Sequence, residues 1–207
     1  MGRIAGVSPQ ETRRRLLAAA ARVFAQQGYE GARVADIARE AGVTTGAIYA
    51  HYRTRADLLA EAIHAHGEEE LADLVAAWRP TSLRDLLEGL GRDLVRVRRR
   101  DSPQLLVEAI VAGRRDRSVA RRLRDGVAER EELLARAIGY GQESGEIDPA
   151  LPAEAMARFC FTLSIGALVV GALGLPQPDP DEWAAVIHRL VGAIAPEPAV
   201  RPPAERP

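Results

Sequence analysis

The sequence predicts an all-α fold, and three observations carry that prediction. Apolar residues recur at helical spacing along almost all of the 207 residues. No stretch alternates apolar and polar residues as a half-buried strand does. Proline or glycine punctuates most joints between the periodic segments. With 47% hydrophobic residues the chain can bury a sizeable core in one or two small domains, which excludes a disulfide-stapled mini-protein and a disordered chain.

The first helix is expected from about Pro9 to Gln27, where Leu16, Leu17, Ala20, Val23 and Phe24 share one stripe and Gly28 suits the left-handed stop. Val34, Ile37, Ala38 and Ala41, at i, i+3, i+4, i+7, mark a short second helix. Gly42 and Val43 then turn the chain into Thr44, whose hydroxyl can cap a third helix reaching roughly Tyr52. Thr54 can cap a fourth, running to about Trp78, with Leu59, Ile63, Leu71, Leu74, Val75 and Trp78 on its buried side; Pro80 closes it. Longer helices are expected at Leu83–Arg99, Pro103–Ala112, Val119–Glu143, Pro152–Leu173 and Asp181–Ala195. Pro196–Pro207 holds five of the thirteen prolines and reads as a disordered tail.

The formal net charge of −1, from 28 basic and 29 acidic side chains, gives no overall sign of nucleic-acid binding. The total conceals a division. Residues 1–58 carry nine arginines (Arg3, Arg13, Arg14, Arg15, Arg22, Arg33, Arg39, Arg53, Arg55) against five acids (Glu11, Glu30, Asp36, Glu40, Asp57), an excess of four positive charges. Binding by release of counterions from phosphate needs such a concentration of positive charge.

Every basic residue is arginine, which removes Schiff-base chemistry and a phosphate-loop lysine. The single Cys160 excludes an internal disulfide and a multi-cysteine zinc site, and suits a reducing cytoplasm. Arg13, Arg14 and Arg15 are not followed by an apolar run with a cleavage site, which argues against a secretory signal. His64 with Glu68 and His66 with Glu70 have i, i+4 metal-ligand spacing, but the two histidines point about 200° apart on a helix, so a solvated surface is the reading. The arginines at 96–100 and Arg114–Arg124 are likewise read as solvated. No nucleophile motif, phosphate loop or paired carboxylate points to an enzyme, and no catalytic residue, metal or cofactor is expected.

A short helix, a tight turn and a second short helix, supported by a helix with its own apolar stripe, make a helix-turn-helix unit. In such a unit the last helix enters the major groove. Ile48 is its inward anchor; Thr45, Gly46 and Ala47 are small enough to approach base edges; Tyr49, His51 and Tyr52 offer hydrogen bonds to phosphate; Arg55 opens the next helix beside them.

The run FAQQGYEGARVADIAREAGVTTGAIYAHYRTRADLL, Phe24 to Leu59, resembles the N-terminal domain of the tetracycline-repressor (TetR) family of bacterial transcriptional regulators. The matching residues are Gly28-Tyr29, Ile37-Ala38, Ala41-Gly42-Val43, Gly46, Ile48-Tyr49, Tyr52 where phenylalanine is usual, and Asp57-Leu58-Leu59. The resemblance implies DNA contacts at Thr44, Thr45, Gly46, Ala47, Tyr49, His51, Tyr52 and Arg55. Arg33 stands where a Ser or Thr cap is common, which weakens that cap and leaves its guanidinium for phosphate. Thr45 and Arg55 stand where lysine is common, and Arg53 replaces a frequent proline, which leaves the turn into the fourth helix less rigid.

For the remainder the resemblance implies a helical domain that binds a small molecule and dimerises through its last two long helices. Phe159–Leu175 contains no charge, which raises a membrane span as an alternative; seventeen residues with Thr162, Ser164 and three glycines fall at the short limit for one, and burial against a partner chain is expected instead. Phe159, Leu163, Gly166, Val170, Trp183, Ile187 and Leu190 are the expected dimer interface, and Trp78, Glu108, Met156 and Phe159 the candidate ligand contacts.

The resulting expectation is a cytoplasmic homodimer with a DNA-binding domain at residues 1–53, an effector-binding and dimerisation domain at 54–195, and a tail at 196–207. Its partners are a palindromic DNA operator and an unidentified small molecule whose binding beside the fourth helix releases the DNA. The alternative is a helical ligand-binding or scaffolding dimer without specific DNA binding.

Overall fold

A computed structural model describes residues 8–95 and 102–196, except the side chains of residues 70, 71, 74, 75, 78, 102 and 103. Among the described residues there are nine helices and no strand, so the fold is all-α. The expected tail after Pro196, the arginines at 96–100, and the side chains of Leu71, Leu74, Val75 and Trp78 lie outside the described ones.

Helix α1 (Pro9–Gly31) starts where the Ser8 hydroxyl accepts the Glu11 N–H at 3.1 Å and Pro9 fills the first turn. Gly28 interrupts it, with φ 72° and ψ 164°, as only glycine does readily. The helix does not end there as expected: one further turn follows and turns Tyr29 inward, where it is buried and its ring stacks on Phe24 at 6.0 Å. Helix α2 (Val34–Ala41) ends on Gly42, left-handed at φ 69° and ψ 33°, and the Val43 N–H reaches back to the Ala38 carbonyl at 2.9 Å. Helix α3 (Thr45–Tyr49) follows, shorter by a turn than the expected reach to Tyr52.

Helix α4 (Arg55–Trp78) opens with a reciprocal cap. The Thr54 hydroxyl accepts the Asp57 N–H at 3.1 Å and the Asp57 carboxylate accepts the Thr54 N–H at 2.9 Å. Helix α5 (Leu83–Asp93) stops six residues before the expected Arg99. Helix α6 (Ser102–Arg115) instead runs past the expected Ala112, and α7 (Arg117–Glu143) begins immediately after it, because Asp116 accepts the Ser118 and Val119 N–H groups and serves as a cap. Helices α8 (Ala153–Ala172) and α9 (Pro180–Gly192) complete the fold.

Two cores form. The first joins α1, α2 and Ile48 of α3 to Leu58, Leu59 and Ala62 of α4, then to Leu105, Ala109 and Ala112 of α6 and Val119 of α7. The second gathers Leu87, Ile138, Ile147 and Ala157, with Leu83, Met156, Cys160 and Val191 packed against them. Helix α9 lies close on α5: a Cβ built on Gly91 would stand 2.7 Å from Ile187 Cγ2, and the Trp183 indole N–H donates to the Gly91 carbonyl at 2.9 Å.

Helix α8 differs from the others. It packs on α6 and α7 along one side and is tied to α7 by the Arg158–Glu131 ion pair at 2.6 Å, yet Phe159, Val170 and, beyond its end, Leu173 and Leu175 are exposed. At 20 residues with mean hydropathy 1.7 over its most apolar window, it is long and apolar enough to cross a bilayer by length and composition. The uncharged run from Phe159 begins six residues inside this helix, whose first turns carry Glu154 and Arg158.

Candidate nucleic-acid interface

The candidate recognition surface is built from a glycine-encoded stop and a hydroxyl-encoded start. Left-handed Gly42 lets the chain leave α2, and the Thr44 hydroxyl accepts the Ala47 N–H at 3.1 Å to start α3. Ile48 is 1% exposed and anchors α3 on the first core. That anchoring leaves Thr44, Thr45, Gly46, Ala47, Tyr49 and His51 facing outward, with Tyr49 54% exposed. Gly46 keeps the surface low, so that a groove floor can approach the backbone. Arg33, at the start of α2, is exposed and makes no cap bond, as its side chain implies. Exposed Arg53 adds a cation between α3 and α4. Its signal in the sequence, the replaced proline, by itself indicates only a looser turn.

Two of the expected contacts, Tyr52 and Arg55, have neighbours within the chain. Tyr52 is 9% exposed and lies in the first core, where burial pushes its phenol pKa up against the opposing charge of Arg13. It sets the position of α3 from within. Arg55 is engaged by its own chain: Nη1 donates to the Ala32 carbonyl at 3.1 Å and the Glu30 carbonyl at 3.4 Å, and its guanidinium lies 4.3 Å from the Tyr29 ring centroid. It fastens the last turn of α1 to the start of α4. These neighbours lie 23 to 39 residues away, and sequence proximity to α3 does not show them.

The arginine excess of the first 58 residues is likewise largely internal. Arg13 pairs with Glu61, Arg14 with Glu11, Arg22 with Glu40 at 2.7 Å, Arg39 with Asp36 at 2.6 Å and Arg55 with Glu30 at 3.5 Å. Among the described residues of this region Arg15, Arg33 and Arg53 have no such pair.

The head is clasped by the α6–α7 joint. The Tyr29 hydroxyl donates to Asp116 at 3.1 Å, and Arg122 of α7 pairs with Asp57, the capping acid of α4. Hydrogen bonds from the Ser118 hydroxyl and backbone, and then from Tyr29, hold the Asp116 carboxyl below its usual range, while burial pushes the Tyr29 phenol up. Neither clasp is visible in the sequence, since each joins segments more than sixty residues apart.

Of the candidate ligand contacts, the side chains of Glu108, Met156 and Phe159 are among the described ones. Glu108 closes against Gly28 in an open cleft of about 380 Å³ between α1 and α6. Met156 packs into the second core, and Phe159 is 59% exposed. Of the expected interface, Leu163 is half-buried and Gly166, Val170 and Leu190 are exposed. Ile187 is corrected to an internal residue, 3% exposed against α5, and Trp183 is turned to the same helix. Burial of Cys160 pushes its thiol pKa up, away from a reactive thiolate. The His64 side chain is 39% exposed, and its ring lies 3.1 Å from Arg130 of α7 and 3.0 Å from Glu68.

Residues 16–62 match the family model described as bacterial regulatory proteins, tetR family. The transcriptional regulator AcrR of Shigella flexneri is 38% identical over 88 residues, a match spanning 42% of this chain and 40% of that relative. The regulator UidR of Escherichia coli strain K12 is 26% identical over 167 residues, 77% of this chain and 81% of that one. Among solved structures, a TetR-family regulator from Rhodococcus sp. superposes with a TM-score of 0.73 at 23% identity, covering 90% of this chain and 99% of the other, so the two share a fold.

Proposed function

The chain belongs to the tetR family of bacterial regulatory proteins, and from that premise we propose that it is a cytoplasmic, homodimeric transcriptional repressor that holds a palindromic operator and releases it when a small molecule binds. The observation that carries this reading is α3: Ile48 is buried, while Thr45, Gly46, Ala47 and Tyr49 stand exposed behind a capped N-terminus.

In this reading residues 1–53 are the DNA head and residues 54–195 bind effector and partner. Thr45, Gly46 and Ala47 meet base edges in the major groove, where methyl groups suit thymine. Arg33, Thr44, Tyr49 and His51 meet phosphate. Tyr52 and Arg55 are positioning residues that hold α3 and α4 at a fixed angle. The partner chain covers Phe159, Leu163, Gly166 and Val170 of α8 with Leu190 of α9, and this gives the uncharged face of α8 a protein neighbour in place of a bilayer. Two copies then present their α3 helices about 34 to 36 Å apart, one helical turn of DNA.

Release follows from α4, which begins at the head with the Thr54–Asp57 cap and runs 24 residues to Trp78. A ligand beside its far end that prefers a spread arrangement of heads lowers DNA affinity by its difference in affinity for the two arrangements. Gel-shift assays on the DNA surrounding the gene test the reading. Retarded, sequence-selective complexes that disappear with Tyr49→Ala/His51→Ala support it; binding indifferent to sequence at physiological salt would favour a ligand-binding or scaffolding dimer.

A further inference from the structure

The arginines of the α6–α7 joint have no part in the interface above. Residues 114–124 hold six arginines (Arg114, Arg115, Arg117, Arg121, Arg122, Arg124) and a single acid, Asp116. Asp116 is committed to the α7 cap and to Tyr29, and Arg122 to Asp57. The other five arginines are exposed and form no hydrogen bond or ion pair among the described residues. This is a denser uncompensated positive charge than the head itself presents, where five arginines face carboxylates.

The first turns of α7 have two distinct sides. Val119 and Leu123 pack into the first core. Arg117, Arg121 and Arg124, at i, i+4, i+7, form an outward row. That row is unfavourable for the helix that carries it. Cations in the first turn oppose the positive end of the helix dipole, and Arg117 and Arg121 repel one another as like charges four residues apart. Asp125 stands four residues beyond Arg121 on the same helix, but none of the three arginines forms an ion pair among the described residues, and a local rule broken without such a pair is expected at functional surfaces.

The row is also held beside the head. Tyr29–Asp116 at 3.1 Å and Asp57–Arg122 bind the joint to the end of α1 and the start of α4. A 24-residue α4 spans about 36 Å, and the joint sits at its head end. We propose that Arg117, Arg121 and Arg124 form a second phosphate-binding surface, which meets the DNA backbone next to the base pairs read by α3. The proposal rests on the DNA-binding reading above and extends it from the helix-turn-helix to the effector-domain joint.

Fluorescence anisotropy of the full chain with a labelled random-sequence 40-base-pair duplex, titrated at several NaCl concentrations, tests it. In Arg117→Gln/Arg121→Gln the slope of log affinity against log salt is expected to fall by about 0.9 for each phosphate that is no longer neutralised, about 1.8 per subunit. Removing these cations relieves α7, so the variant is expected to fold at least as well as the parent, which circular dichroism checks. Arg79→Gln/Arg136→Gln makes the same charge change away from the joint and is expected to leave the slope unchanged. A parent that binds with a normal salt slope, alongside a joint variant that matches it, would overturn the proposal and leave the row to a partner of another kind. Equal falls in the joint variant and the remote control would also overturn it, by making the effect one of net charge. A parent that shows no salt-dependent DNA binding would overturn the DNA-binding reading as well.

Discussion

Leu105 offers a direct probe of how the head is held. It lies on α6, far from the helix-turn-helix in sequence, yet it is 1% exposed within the core that contains Phe24, Ile37 and Ile48. Leu105→Ala removes buried carbon from that shared core and leaves a cavity, a change that costs roughly 2 to 5 kcal/mol. At about 1.4 kcal/mol per factor of ten, the fraction of open molecules rises at least about 30-fold. Hydrogen exchange followed by mass spectrometry reads this segment by segment. Amides of α2 and α3 are expected to lose protection together with those of α6, because all three bury side chains in one cluster. Loss confined to α6, with α2 and α3 as protected as in the parent, would refute the shared core and make the head an independently stable unit.

Gly91→Ala places a methyl 2.7 Å from Ile187 Cγ2, so overpacking of about 1 to 3 kcal/mol is expected to exceed the gain of about 1 kcal/mol in helix propensity; thermal melting checks the loss, and Ile187→Ala in the same chain should remove the clash and make the pair non-additive. Asp116 is held below its usual range, so its contribution to stability is present above the unfolded carboxylate value near pH 4 and is lost as pH falls through the lower folded value; urea midpoints of the parent and Asp116→Asn should therefore converge below about pH 4, and a constant gap would contradict the role given to its hydrogen bonds. Val170→Asp puts a charge on the exposed face of α8, and sedimentation equilibrium should show a dimer dissociating at least about tenfold more readily, with helicity unchanged; identical association would remove that face from the proposed interface.

The legible parts of this fold are those whose causes are local. Gly42 as the left-handed stop, Thr44 and Thr54 as caps, and Ile48 as the inward anchor each depend on groups close by in the chain, and the structure places all of them as the sequence indicates. What the sequence hides are partnerships over distance. Arg55 looks like a phosphate contact until the Ala32 carbonyl and Tyr29 ring are seen beside it, and Tyr52 until it is found in the core. Helix α9 shows why a single stripe is ambiguous: Ile187 and Leu190 belong to one apolar pattern, but the close approach allowed at Gly91 takes Ile187 inward and leaves Leu190 exposed. Net charge misleads in the same way, since most head arginines face carboxylates while, of the six at the α6–α7 joint, only Arg122 does among the described residues.

In the proposed function the exposed side of α3 reads DNA sequence. Selection of binding sites from a random-sequence duplex library with the full chain tests it most directly. Enrichment of an inverted repeat is expected, with half-sites about one helical turn apart, roughly 10 to 10.5 base pairs, and with a changed half-site sequence in Thr45→Gln/Ala47→Gln, the positions set against base edges. Recovery of an unenriched library from a chain that is folded and dimeric would contradict it.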